Sequence, residues 1–117
     1  KPESPHYSEF RPDEELVALF RRNAEALGRA YPDRTEEEAL SAGSTDMANL
    51  SLAMPAIHPM LGLDSLPAVN HQPEFTAHCV TPVADRAVRD GALAMTWTTI
   101  DMATDPILRA RLLVPRT

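Results

Sequence analysis

A chain of 117 residues with 44% hydrophobic residues and a formal charge of −6 is long enough for one compact domain, which at this size buries roughly two thirds of the surface its unfolded chain exposes. Its arginines are scattered among carboxylates, so no basic patch forms and a nucleic-acid surface is excluded. The single cysteine, Cys79, excludes an internal disulfide framework and a four-cysteine zinc knuckle, and points to a reducing compartment such as the cytoplasm.

The opening KPESPHYSEFR is proline- and serine-rich and reads as a linker over residues 1–11. It lacks the apolar core of a secretion signal, and no later stretch reaches the ~18 uncharged apolar residues of a membrane span. An α/β domain does not ordinarily open this way, so the expectation is a chain that begins partway through a larger fold.

The first element follows at once. Pro12 suits the first turn of a helix, and Asp13, Glu14 and Glu15 lie where the helix dipole favours negative charge. Leu16, Phe20, Ala24 and Leu27 recur at helical spacing and share one face, and Gly28 followed by Pro32 ends the run. Between Tyr31 and Ala42 the chain is polar, and the adjacent Glu36, Glu37 and Glu38 read as a solvated loop or helix end.

Gly43, Ser44, Thr45 and Asp46 make a tight turn leading into a short helix that starts at Met47. Backbone amides gathered there would attract a carboxylate, while plain turn and cap chemistry accounts for the same residues. From Ser51 to His58 the placement of Leu52, Met54, Ala56 and Ile57 predicts a short strand, interrupted by Pro55 and so at a sheet edge. His58 at its end is either a surface residue or a ligand.

The segment AVNHQPEFTAHCVTP, residues 68–82, places His71, His78 and Cys79 among prolines and reads as irregular. On an extended chain His78 and Cys79 point to opposite faces, so they do not share an ion. No local zinc motif is present, and the segment offers one candidate ligand rather than a site. From Thr81 to about Ala103 the pattern is a long helix, with Ala84, Ala87, Gly91, Ala94 and Thr98 as a small-residue stripe able to lie closely against a sheet. After Asp105 and Pro106 a last short helix offers Ile107, Leu108, Leu112 and Leu113 for packing.

In order, GSTDMANLSLAMPAIHP, HQPEF and a small-residue helix ending in DPILRARL resemble the C-terminal part of the catalytic domain in the co-catalytic zinc metallopeptidases, which include aminoacylases, carboxypeptidases and aminobenzoyl-glutamate hydrolases. The resemblance runs from about Pro12 to the end, residues 12–117. It implies an α/β fold, here a helix-rich segment with one or two strands of a larger sheet, and an amide hydrolase acting on N-acyl amino acids or small peptides. Such enzymes use two zinc ions and a bridging water, and they dimerise through a domain that would be absent here.

Carried over residue by residue, the resemblance makes His71 a metal ligand and gives Gly43, Ser44, Thr45 and Asp46 a place in the cleft that holds the substrate, with His58 near it. The other ligands and the general-base glutamate of such enzymes have no counterpart in this sequence. The chain is therefore expected to be inactive alone, to hold no zinc by itself, and to have the remainder of a parent hydrolase as its partner. A reading from another class is a non-catalytic helical interaction module, in which the histidines are incidental.

Overall fold

The computed structural model describes residues 9–31 and 46–116. In these the chain is helical: α1 (Glu14–Ala26), α2 (Met47–Ala53), a 3₁₀ segment (Pro73–Val80), α3 (Pro82–Thr104) and α4 (Pro106–Leu112). No strand occurs among the described residues, which overturns the expected α/β class with its one or two strands. The acidic Glu36–Glu38 run lies outside the described residues.

The misread stretch shows why. Five of the seven residues of Met47–Ala53 are Met, Ala or Leu, good helix formers, and Ala48 and Ser51, three apart, are its buried residues. Leu52 and Met54, whose alternation suggested the strand, are both exposed. Ser51 settles the matter, because its hydroxyl donates back to the Ala48 carbonyl (2.6 Å) and accepts from the Arg11 amide (2.9 Å). Beyond the helix the chain is extended at Met54. It makes a backbone bond from the Asp13 amide to the Ala56 carbonyl (3.0 Å), but no ladder.

The boundaries of α1 and α3 follow local chemistry. Asp13 caps α1 by accepting from the Leu16 amide, and Gly28, at φ 88°, closes it. There the Gly28 amide donates to the Glu25 carbonyl and the Arg29 amide to that of Ala24, a Schellman arrangement that needs a left-handed residue. Thr81 caps α3 through the Ala84 amide (3.2 Å), with Pro82 in the first turn, where a missing N–H costs nothing.

The small-residue stripe is inward as expected: Ala84, Ala87, Gly91, Ala94 and Thr98 are all buried. What it meets differs from the expected sheet. Phe20 and Ala24 of α1 pack on Ala94, and the Asn23 amide donates to Thr98 Oγ1 (3.1 Å) and Asp101 Oδ2 (3.0 Å). At Gly91 an added Cβ would stand 2.6 Å from Leu61 Cδ1, so the glycine admits the 54–72 connection onto the helix. A second cluster joins Leu16 and Leu19 to Leu108 of α4. Ile107 and Leu113, expected to pack, are 83% and 76% exposed.

Candidate metal-ligand segment

The 68–82 segment is more regular than its prolines predict. Pro73 opens an eight-residue 3₁₀ run, long for a helix type whose hydrogen bonds are poorer than those of an α-helix. Thr81 ends it by donating to the His78 carbonyl (3.1 Å) while capping α3. Cys79 is exposed, with its thiol 3.6 Å from the Phe75 carbonyl.

His71 stands just ahead of this run, exposed, with φ 66°. That left-handed conformation is uncommon outside glycine, although histidine is among the residues enriched there. His58 is exposed too, and its ring meets Phe10 edge-on, with centroids 6.4 Å apart and planes at 72°. Asp46 sits at the N-cap position of α2 in helical conformation and does not cap it with its side chain. Gly43, Ser44 and Thr45 lie outside the described residues.

The structure therefore does not bring the predicted site residues into one described cleft. No hydrogen bond or ring contact joins His58 to His71 among the described residues. Nor do those residues contain a group of three or more His, Cys, Asp or Glu placed to hold a metal ion. A catalytic zinc takes about three protein ligands and an open position. His58, His71 and Cys79 are each exposed, but the described residues do not gather them into a whole site.

The strongest electrostatic feature lies elsewhere. Asp13, buried at the start of α1, receives both terminal nitrogens of Arg111 at 2.8 Å and one nitrogen of Arg116 at 3.0 Å. The Arg111 hydrogen bonds hold its carboxyl down at a pKa of about 2, against the opposing effect of burial. The pairing with Asp13 in turn raises the Arg111 pKa. Arg116 also donates to the carbonyls of Arg11 (3.0 Å) and Ser51 (2.8 Å), so one arginine ties the C-terminal end to the segment before α1 and to α2. Sequence reading gave Asp13 only a helix-dipole part and the two arginines none, because no local spacing links partners 98 and 103 positions apart.

An open groove between α1, α3 and α4 is lined in part by Glu15, Arg22, Asp101 and Asp105. Its carboxylates are already engaged: Glu15 with Arg111 at 2.7 Å, Asp101 with Asn23, and Asp105 with the first amides of α4. It is a by-product of helix packing.

The chain is distantly similar to part of a peptidase. It is 29% identical over 110 residues to a Xaa-Arg dipeptidase from Mus musculus, a match that covers 91% of this chain and 24% of that protein. The chain thus spans about a quarter of the length of the curated relative it matches. No protein-family model matches it, and no solved structure does. Among the described residues no helix is long and apolar enough to cross a membrane.

Proposed function

We propose that this chain forms part of a metal-dependent peptidase that hydrolyses the amide bond of a dipeptide or a related small N-acyl amino acid, and that His71 supplies one of its metal ligands. The observation carrying this reading is the dipeptidase similarity over 91% of the chain. That relative is named for dipeptides whose second residue is arginine, and this reading takes such a dipeptide as its first candidate substrate.

Two features of the structure support it. The His71 imidazole has no hydrogen-bond partner among the described residues and is exposed, so it is open to an ion. On α3, Val88, Met95, Trp97 and Ile100 are exposed, and a helix apolar beyond its packed stripe ordinarily has more protein against it. The partner in this reading is the remainder of the hydrolase, which supplies the other ligands and the general base. A homodimer would form through a part outside this chain.

The ion, taken as zinc, supplies a Lewis acid and an activated water when bound. This chain's own part is to present one neutral imidazole at a set position, and His71 neither gives nor takes a proton in the reaction. Gly43, Ser44, Thr45 and Asp46 stay candidates for holding the substrate, with His58 nearby. Exposed Cys79 fits a reducing cytoplasm, the −6 charge argues against a nucleic-acid partner, and no stretch of this sequence has the apolar length of a membrane span.

The deciding experiment uses the full-length protein and dipeptides ending in arginine. A chelator should abolish hydrolysis and added zinc restore it, and His71→Ala should lower kcat/KM by orders of magnitude while leaving the thermal midpoint in place. Full activity in His71→Ala, or activity indifferent to chelation, overturns the reading and favours the interaction module.

A further inference from the structure

Three local hydrogen bonds lie near His71, one before it, one spanning it and one after it. The Ser65 hydroxyl donates to the Ala68 carbonyl (2.8 Å), the Gln72 side-chain oxygen Oε1 accepts from the Val69 amide (3.1 Å), and the Gln72 carbonyl accepts from the Phe75 amide (3.1 Å). The backbone at His71 is left-handed, φ 66°, whereas Gln72 returns to the extended region at φ −110° and ψ 143°. A non-glycine residue keeps a left-handed conformation only where its surroundings hold it there. The Val69–Gln72 bond closes a loop with His71 inside it, and the Gln72–Phe75 bond starts the 3₁₀ run immediately after.

We infer that Gln72 is a positioning residue for His71: its side-chain oxygen clamps the turn from which the imidazole projects, and so presets the direction in which that ring meets a divalent metal. The inference rests on the reading of His71 as a ligand. It adds the part of the chain that aims the ligand. If the acceptor is removed, the Val69 amide turns to water and His71 is free to relax out of the left-handed region. The fraction of molecules able to bind then falls, and the apparent dissociation constant rises in inverse proportion. Groups that orient a metal-binding imidazole typically alter affinity about 10–100-fold. One exposed hydrogen bond belongs at the low end of that range.

Two substitutions separate aiming from general support. Gln72→Met keeps the length of the side chain and removes the acceptor, while Gln72→Glu keeps an acceptor at the same reach. In the full-length protein, zinc affinity is measured by competition with a chromophoric chelator, and hydrogen exchange is followed at the Val69 amide, with thermal unfolding as a control. His71→Ala sets the scale. We expect Gln72→Met to weaken zinc about tenfold and to speed exchange at Val69 with the thermal midpoint unchanged, and Gln72→Glu to restore both. If His71→Ala weakens zinc and Gln72→Met does not, the positioning role is overturned and the ligand reading stands. Equal losses in the Met and Glu variants overturn it as well. If His71→Ala leaves zinc affinity untouched, the ligand reading itself has failed, and the inference goes with it.

Discussion

Arg111 grips Asp13 through two parallel hydrogen bonds, each 2.8 Å long, across 98 positions of sequence. The planar guanidinium matches a carboxylate in this forked geometry, which makes it one of the stronger polar contacts available. Asp13 also caps α1, so one side chain ends a helix and anchors the C-terminal end of the chain.

Replacing Asp13 with Asn should therefore cost roughly 2 kcal/mol in urea denaturation. This is less than the penalty for breaking a fully buried pair, because Arg111 is 41% exposed and can turn to water. The loss should appear as a lower midpoint with an unchanged slope. Asp13→Ala should cost about 1 kcal/mol more, because it also removes the cap.

The same residue predicts acid behaviour. Its folded pKa of about 2 lies below the ordinary value of 3.8, so the unfolded chain binds the proton more readily. The contribution is whole above about pH 4 and is lost as pH falls toward 2. The difference corresponds to about 2 kcal/mol. Stability measured from pH 5 to pH 2 should fall more steeply in the native protein than in Asp13→Asn. Parallel curves would mean the carboxylate is not held this way.

At the α1–α3 contact Ala24 and Ala94 are both fully buried, so the helices approach at a spacing that only small side chains allow. Ala94→Leu should cost about 1–3 kcal/mol by overpacking. Ala92→Leu, on the exposed side of the same helix, should be within about 0.5 kcal/mol of the native protein.

Gly91 faces a different neighbour. An added methyl would meet the end of Leu61 at 2.6 Å, and a flexible side-chain terminus can move aside. Gly91→Ala should be nearly neutral, because a helix-propensity gain of about 1 kcal/mol offsets the displacement. Gly91→Leu should destabilise the protein by about 1–3 kcal/mol and loosen the 54–72 connection, seen as faster amide exchange at Ala68.

Thr81 serves two elements at once, donating to the His78 carbonyl and accepting from the Ala84 amide. Thr81→Ala should cost about 1 kcal/mol and fray both the start of α3 and the end of the 3₁₀ run. Thr81→Ser should retain most of the stability.

The sequence by itself determined the parts governed by near neighbours. The acidic start of α1 and its Gly28 stop, the span of α3, the inward stripe from Ala84 to Thr98, and the Asp105–Pro106 start of α4 all depend on contacts within a few positions. The exposed His71 was singled out through a resemblance. Its turn was not foreseen, because the Gln72 clamp is one of many polar side chains that could bond locally.

What only the tertiary structure decided was which partner each face meets. Leu52 and Met54 alternate as in a strand, yet Ser51 is drawn inward by the Arg11 amide, 40 positions away, and the stretch becomes helix. The small-residue stripe could have lain on a sheet or on another helix, and here α1 covers it. Asp13, Arg111 and Arg116 carry no local signal of their pairing, since a charge finds its counter-charge through space, and the chain between them sets no preference until it has folded.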